Sequence, residues 1–261
     1  MKEQNRTEQN RTEQNRTEQN NFIKNFFYGW NWFEYLILAA AIILPLTLGL
    51  ILDSFPLDIV TSILFPISIL LLAKAKVEGY FLSLVAYALY IIVVVDARLF
   101  GEVITIATLS IPTSTAAIVT WLRNRRNDDK QGKVTKIQRT GWKEFTLLTV
   151  SQLVMGVGYY FLLRAFDTEL LVLSTITLAV GLMGNWLYIR RSIWGPYVYL
   201  VYGFLVLTMW SIIVADGATY MAVIIAMQSI IIITDIYAMF NWRRLMKNQT
   251  KAVQDANSSG L

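Results

Sequence analysis

Long apolar runs alternate with short polar segments along most of this chain. An α-helix needs roughly 20 apolar residues to cross the hydrocarbon core of a bilayer, and each run is long enough to do so, the second only just. The runs cover about 33–52, 58–73, 79–95, 102–122, 144–164, 169–189, 194–214 and 218–241. The pattern therefore predicts an all-α polytopic membrane protein with eight membrane-spanning helices.

The composition supports this prediction and removes most enzyme chemistry. Hydrophobic residues make up 55% of the chain and charged residues 16%, against roughly 45–50% and 25% in an average soluble domain. The sequence contains no Cys and no His, so disulfides, thiol nucleophiles, His-ligated metals and His general bases are excluded. It also lacks a Walker-type phosphate loop. We therefore expect no enzyme, no catalytic residues, no metal and no cofactor.

The distribution of basic residues predicts the orientation in the membrane. Lys and Arg are retained on the cytosolic side of membrane proteins. With the N-terminus inside, all of the 23 basic residues except Arg98 and Arg164 fall on the cytosolic side. The opposite orientation reverses this bias, so we predict that both termini are cytosolic. The net charge of +5 is accordingly attributed to topology and not to a nucleic-acid partner.

The second half of the chain repeats the pattern of the first. The stretch 72–80 and the helix that ends at Trp121 have an echo in 187–196 and the helix that ends at Trp242, with an offset that drifts from 116 residues at Lys74 and Arg190 to 121 at the two tryptophans. Two parallel three-helix repeats, 58–122 and 169–241, are therefore predicted. Parallel repeats are a transporter architecture with the substrate site near the midplane between them.

The remaining segments follow from this repeat. A unit of three helices begins outside and ends inside, so a second unit in the same orientation requires one extra crossing. An inverting linker helix at 144–164 supplies that crossing after a basic cytosolic loop at 123–143, which gives a 3+1+3 plan. One extra N-terminal helix at 33–52 precedes the units. The polar pentapeptide repeat within 1–24 predicts a disordered tail, and 242–261 is predicted to be a cytosolic tail.

From about residue 58 to 244 the sequence resembles the PnuC family of bacterial vitamin transporters. In the second unit, members of that family have a basic pair followed by Trp-x-x-Trp-x-x-x-Asn. Here the pair is 190–191, Trp194 matches the first aromatic, Tyr197 replaces the second Trp, and Val201 stands where the Asn is expected. The 3+1+3 plan, also called a full-length SWEET-like fold, belongs to the same family.

The resemblance implies a function. Known family members carry nicotinamide riboside, and relatives carry thiamine or deoxynucleosides. It implies a multi-pass facilitator in the cytoplasmic membrane of a bacterium, which carries nicotinamide riboside or a closely related nucleoside-like vitamin precursor. Transport would be driven by the concentration gradient and by cytosolic trapping through phosphorylation. The partners would be this small solute and the lipid bilayer, and the sequence leaves open whether the protein forms a homo-oligomer.

The polar and aromatic residues within the spans supply the candidate substrate contacts. Trp194 and Tyr197 lie one turn apart and are proposed to stack on the substrate ring, while Val201 leaves out a polar partner. Asn185, Gln228 and Asp235 are proposed to bond its polar edges. Tyr87 and Tyr90 are candidates to line the pathway, and Gln152 is a further intramembrane amide. The alternative for the amides and Asp235 is hydrogen bonding between helices.

The other aromatic residues have a simpler interpretation. Five tryptophans lie near predicted cytosolic helix ends and are assigned to helix packing or to an interfacial belt, and they are Trp30, Trp32, Trp121, Trp142 and Trp242. Tyr199, Tyr202 and Trp210 share one face of the seventh helix and are assigned to packing.

Several functions stay open at this point. A deoxynucleoside or thiamine transporter of the same family is one alternative, because Val201 cannot bond a ribose hydroxyl. A proton-coupled symporter is another, because Asp235 is an acid deep in an apolar run. A retinal photoreceptor needs a buried Lys, and no Lys lies inside a predicted helix. A membrane enzyme or signalling scaffold is disfavoured by the lack of His and Cys.

Overall fold

The computed structural model describes residues 27–96, 103, 105–128, 132–166, 168 and 170–258. The tail predicted over 1–24 and the start of the fourth apolar run, at 102, lie outside the described residues. The helices are α1 Trp32–Ile51, α2 Pro56–Ala73, α3 Glu78–Asp96, α4 Ile111–Arg123, α5 Trp142–Ala165, α6 Leu171–Ile189, α7 Gly195–Ala215 and α8 Ala222–Ser258.

The helices confirm the predicted polytopic all-α fold. Seven of those in the described part of the chain are long and apolar enough to cross a membrane, and α4 is described too incompletely to count. A π-helical turn, Ile106–Ser110, runs directly into α4. Helix α8 continues to Ser258 without a break at the predicted end of the last span, 241.

Six helices close into a ring. Helix α2 packs against α3, α3 against α4, α4 against α6, α6 against α7, α7 against α8, and α8 returns to α2. Helix α5 packs against α6 from outside, whereas α1 packs against α2 and α8. Most of α5 is exposed, since only Leu148 and Leu163 are buried among its residues. The interior therefore lies between α2, α3 and α4 on one side and α6, α7 and α8 on the other.

The turns between α2 and α3 and between α6 and α7 have the same geometry, and we call the end of the bundle that holds them the basic end. Ala75 and Arg191, which are 116 residues apart, both adopt a left-handed conformation with φ 56°. This conformation costs a side-chain-bearing residue about 1–2 kcal/mol. It allows the Ala75 N–H to donate to Leu72 O at 2.8 Å, as the Arg191 N–H does to Tyr188 O at 2.9 Å.

A tryptophan from the opposite half bonds to each of these turns. The Trp121 Nε1–H at the end of α4 donates to Tyr188 O at 2.7 Å. The Trp242 Nε1–H in α8 donates to Leu72 O at 3.1 Å. Both indoles are fully buried, with 0% of their surface exposed. Of the two roles predicted for these tryptophans, Trp121 and Trp242 therefore have the packing role, whereas Trp32 and Trp142 are 77% and 80% exposed.

A buried ion pair fixes α1 to the ring. Lys74 Nζ lies 2.6 Å from Glu34 Oε2, and both side chains are fully buried. Glu34 also accepts a hydrogen bond from Tyr237 of α8. A buried carboxylate is tolerated only when its oxygens are paired and hydrogen-bonded. Lys74, which the sequence analysis counts among the cytosolic basic residues, thus joins α1 to the ring through a buried ion pair.

The basic loop after α4 contains a β-hairpin in its described part. Strands β1 Arg125–Asp128 and β2 Gly132–Thr135 form an antiparallel pair. Residues 134–140, which we call the strap, then cross the basic end. Val134 and Ile137 are 0% and 3% exposed and belong to the cluster that contains Trp121 and Trp242.

Hydrogen bonds tie the strap to both halves. The Thr135 N–H donates to Ala75 O at 2.8 Å, and the Gln138 N–H donates to Arg191 O at 3.0 Å. The Ile137 N–H donates to Gln249 Oε1 of the α8 extension at 3.1 Å. The strap therefore covers the basic end of the interior.

The indole hydrogen bonds generate a stability prediction. Trp121→Phe removes the donor and part of the ring volume, so we expect the free energy of unfolding to fall by about 1–3 kcal/mol. Trp142→Phe, at an exposed position, is the matched control and should leave stability unchanged. Thermal unfolding of the purified protein in detergent measures both, and equal midpoints for the two variants would contradict the proposed role of Trp121.

Candidate substrate site

A group of tyrosines lies in the interior between the two halves. Tyr80 and Tyr87 come from α3, Tyr188 from α6, and Tyr199 and Tyr202 from α7. The ring centroids of Tyr188 and Tyr199 are 4.8 Å apart, and those of Tyr199 and Tyr202 are 5.6 Å apart, both edge to face. Tyr80 and Tyr188 belong to one buried cluster against which Tyr199 packs. Phe65, which Tyr87 contacts, packs against the same buried cluster as Tyr202. We call these five tyrosines the central tyrosine cluster.

Small residues on α6 make room for the tyrosines of α7. A Cβ atom added at Gly184 would lie 2.8 Å from a ring carbon of Tyr199, and one added at Gly181 would lie 2.9 Å from a ring carbon of Tyr202. Both distances are too short for a real contact. The two glycines therefore allow α7 to turn its tyrosines inward while the helices remain close.

The sequence-predicted amides Asn185 and Gln228 lie beside this cluster. Asn185 Oδ1 accepts a hydrogen bond from the Tyr199 hydroxyl at 2.7 Å. Gln228 is 4% exposed and packs against α7, where a Cβ at Gly203 would lie 3.1 Å from its Nε2. No hydrogen-bond partner for Gln228 Nε2 is found among the described residues. Asn185 thus uses its amide oxygen to bond Tyr199, whereas Gln228 has an amide N–H group available for a ligand.

Asp235 lies on the same inward side of α8. It is seven residues beyond Gln228 and seven before Trp242, so the three share one face of the helix. Its side chain is 1% exposed. Within the described part of the chain, neither carboxylate oxygen has a hydrogen-bond partner. The structure therefore brings Asn185 and Gln228 to the central tyrosine cluster and buries Asp235 on the α8 face that also carries Gln228 and Trp242.

Tyr87 and Tyr90 contact the interior from α3. Both rings meet Phe65 of α2 edge to face, with centroids 5.2 and 5.6 Å away. The Tyr87 side chain shares a hydrogen bond with Ser110, the last residue of the π-helical turn. π-helical turns of this kind are frequent at functional sites.

Trp194 and Tyr197 lie at the edge of the bundle. Trp194 is 37% exposed, and its ring contacts Phe145 of α5 at 6.3 Å and Tyr197 at 5.4 Å, tilted by 57° from the latter. Tyr197 also carries the Arg243 guanidinium over its ring at 5.0 Å. Val201, on the same face, is 55% exposed. The structure does not bring this face of α7 to the central tyrosine cluster, so stacking by Trp194 and Tyr197 stays a prediction.

Gln152 also lies apart from the cluster. It is half-buried on α5, which packs against the outside of α6. Its Oε1 atom is buried without a hydrogen-bond partner among the described residues. This position agrees better with helix packing than with substrate contact.

The sequence does not identify the face of α7 that points to the interior. Aromatic residues in membrane helices usually pack or anchor, so Tyr199 and Tyr202 are not among the predicted substrate contacts. The available signal was the Gly181 and Gly184 pair, whose three-residue spacing matches that of the tyrosines. Such spacing predicts a close helix contact, and therefore an inward face.

Two basic side chains at the basic end have lowered pKa values. Burial and the neighbouring charge of Lys74 lower the pKa of Lys76 to about 8. Burial and the adjacent Arg190 lower the pKa of Arg191. These cations lie at the turns that the strap covers, so positive charge is concentrated at one end of the interior.

Comparison with known proteins gives the family. The family model described as nicotinamide mononucleotide transporter matches residues 55–244. The chain belongs to this family. It is thus a multi-pass membrane transporter of the PnuC type and not an enzyme, as the sequence predicted.

Two relatives give the fold and its extent. The nicotinamide riboside transporter PnuC of Neisseria mucosa is 21% identical over 187 residues, which cover 70% of each chain. The crystal structure of the vitamin B3 transporter PnuC superposes with a TM-score of 0.79 at 18% identity and covers 87% of this chain and 97% of that one. This likeness shows that the present chain has the PnuC fold.

The glycines of α6 provide a test of the inward tyrosine face in this PnuC-type protein. Gly184→Ala forces a methyl group against the Tyr199 ring, and such overpacking should lower stability by about 1–3 kcal/mol. Gly158→Ala, on the exposed side of α5 with open space around the added Cβ, should be neutral or slightly stabilising. Thermal unfolding in detergent measures both. Equal stability of the two variants would show that α6 and α7 are not in close contact.

Proposed function

We propose that this protein is a facilitator that carries nicotinamide riboside, or a closely related nucleoside-like vitamin precursor, across the bacterial inner membrane. Membership of the family and the names of both relatives support this substrate class. The observation that carries the proposal is the interior combination of flat tyrosine rings with an amide donor and a carboxylate that have no partner in the described residues. Rings stack on heteroaromatic rings, and amides bond ring substituents and hydroxyls.

The helix ring supports a site on the axis between two units. We propose the 3+1+3 plan, with α2–α4 and α6–α8 as the units, α5 as the inverting linker and α1 as an addition. The two left-handed residues separated by 116 residues and the reciprocal indole hydrogen bonds are what two related units would produce. Parallel units place their substrate near the membrane midplane. The central tyrosine cluster lies between these units.

Gradient-driven transport is the energetic part of the proposal. The sequence has no nucleotide-binding motif, so the concentration gradient would drive uptake and cytosolic phosphorylation would trap the product. Proton symport is the specific alternative, because Asp235 is a buried acid without a partner among the described residues. A deoxynucleoside or thiamine is the alternative cargo.

Uptake into proteoliposomes tests this function. We expect nicotinamide riboside to reach equal concentration on both sides and no further. Gln228→Ala should lower substrate affinity several-fold to about tenfold, as expected for the loss of one or two hydrogen bonds. Asn248→Ala, at an exposed amide on the same helix, is the control. Uphill accumulation driven by an imposed proton gradient and lost in Asp235→Asn would instead establish a symporter.

Two further variants locate the stacking site. Tyr199→Ala should weaken binding of the transported solute about tenfold if the ring stacks in the central tyrosine cluster. Trp194→Ala should do so if the sequence-derived stacking pair is correct. Binding titrations of both variants against wild type therefore decide between the two faces of α7, and unchanged affinity in both would exclude α7 as the stacking helix.

The proposed orientation, with both termini in the cytosol, has its own test. The chain contains no Cys, so single cysteines can be probed without background. Lys251→Cys on the α8 extension should be shielded from an impermeant thiol reagent in intact cells. Asp216→Cys, at the opposite end of the bundle, should be labelled. Labelling in the reverse sense would overturn the orientation.

A further inference from the structure

Asp235 is exceptional among the buried acids. The described ion pairs join Glu34 to Lys74, Glu78 to Arg125 and Glu144 to Arg190, and none involves Asp235. Its carboxylate is 1% exposed, and both oxygens lack a partner within the described residues. A buried carboxylate is expensive in a membrane protein unless it is paired, faces water or meets a ligand.

The surroundings of Asp235 restrict the kind of ligand. Trp242 lies seven residues further along the same face of α8, and its ring centroid is 4.8 Å from that of Tyr188. Tyr188 in turn lies 4.8 Å from Tyr199, centroid to centroid. The α8 face that carries the carboxylate therefore borders the aromatic rings of the central tyrosine cluster. Ring faces attract cations, and they attract flat delocalised cations with the added benefit of stacking.

None of the ion pairs recorded among the described residues brings a cation to Asp235. No Lys or Arg occurs in the sequence between Arg191 and Arg243. In the described structure, Lys74, Lys76 and the pair 190–191 lie at the turns of the basic end. Asp235 lies about 10 Å from Trp242 along the helix axis, at 1.5 Å per residue, and so towards the membrane interior.

We propose that Asp235 is a specificity-determining residue that selects solutes whose ring carries a fixed positive charge. The inference rests on the proposed transport function and narrows its substrate class. The pyridinium ring of nicotinamide riboside and the thiazolium ring of thiamine carry such a charge, whereas thymidine is neutral. The ring stacks in the central tyrosine cluster with its charge towards Asp235. Gln228 Nε2 donates to a ring substituent, such as a carboxamide oxygen.

A matched pair of ligands tests the charge without changing the protein. Nicotinamide riboside and its 1,4-dihydro form have the same sugar and carboxamide, but only the first has a charged ring. Calorimetric titration of the wild-type protein in detergent should show tighter binding of the charged form by about tenfold to a hundredfold, the range for an interaction with a charged group. Equal affinity for the two forms would overturn the inference.

Variants then assign the preference to Asp235. Asp235→Asn should lower the affinity for nicotinamide riboside by the same factor and leave that for the dihydro form nearly unchanged. Asp216→Asn, at an exposed acid, is the matched control. Asp235→Glu keeps the charge and should retain the preference, which guards against a variant that fails to fold. Equal losses for both ligands in Asp235→Asn would show a structural role instead.

The outcomes separate this inference from the proposed function. Tight binding of thymidine, with none of nicotinamide riboside or thiamine, would overturn the cation preference and leave a nucleoside transporter. Failure of all three ligands to bind would overturn the proposed function and the inference with it.

Discussion

Two indole hydrogen bonds connect the halves of this transporter, and the arrangement of the interior depends on them. A bilayer gives helices no hydrophobic reason to associate, because lipid tails are as apolar as the side chains that helices present. Packing and polar bonds between helices must therefore hold the ring together. Trp121 bonds to the turn after α6, and Trp242 bonds to the turn after α2. Each half thus anchors the other at the same end of the bundle.

The acceptors exist because the turns are strained. A left-handed residue at Ala75 or Arg191 ends the helix abruptly and turns the chain back into the membrane. The carbonyls of Leu72 and Tyr188 remain close enough to bond both the turn and an indole. The strap uses the carbonyls of the strained residues themselves. Access to the central tyrosine cluster from the basic end would therefore require these bonds to the strap to break.

The amino-acid sequence predicted the all-α membrane fold and the family, because apolar length and a short motif are local signals. It left open whether Trp121 and Trp242 are buried, since a tryptophan near a helix end suits both helix packing and a lipid interface. The burial of the strap could not be predicted from the sequence, because Val134 and Ile137 are isolated apolar residues in a basic loop. Contact between distant segments decides their burial, and no local pattern reports it.

The sequence did not predict the inward position of Tyr199 and Tyr202 on α7 for a related reason. In a soluble protein the apolar face of a helix points inward, but lipid makes both faces apolar. In the sequence, the face with Trp194 and Val201 is therefore as good a candidate for the inward face of α7 as the face with Tyr199 and Tyr202. The polar residues were more informative, because burying an amide or a carboxylate in lipid is costly. Asn185, Gln228 and Asp235 are accordingly the predicted substrate contacts; Asn185 bonds to Tyr199, and Gln228 and Asp235 are buried in α8.

The proposed repeat would also allow the proposed site to hold an unsymmetrical solute. At an offset of 116 residues, Tyr199 and Tyr202 correspond to Ser83 and Ala86, and at 121 residues, the offset of the paired tryptophans, Asp235 corresponds to Ser114. Ser83, Ala86 and Ser114 are buried, so they face the interior as their counterparts do. In the first half the Ser83 hydroxyl lies 3.1 Å from that of Ser68, whereas in the second half Tyr199 lies against Gly184.

Under the proposed repeat, the two halves would contribute different chemistry from equivalent positions. The second half would supply rings, an amide and a carboxylate, while the first half has small residues at the corresponding positions. Two identical units would present the same groups twice and would suit a ligand with two equal ends. A solute with a ring at one end and a sugar at the other requires unequal walls. Divergence at these few positions provides them without disturbing the turns and indoles that join the halves.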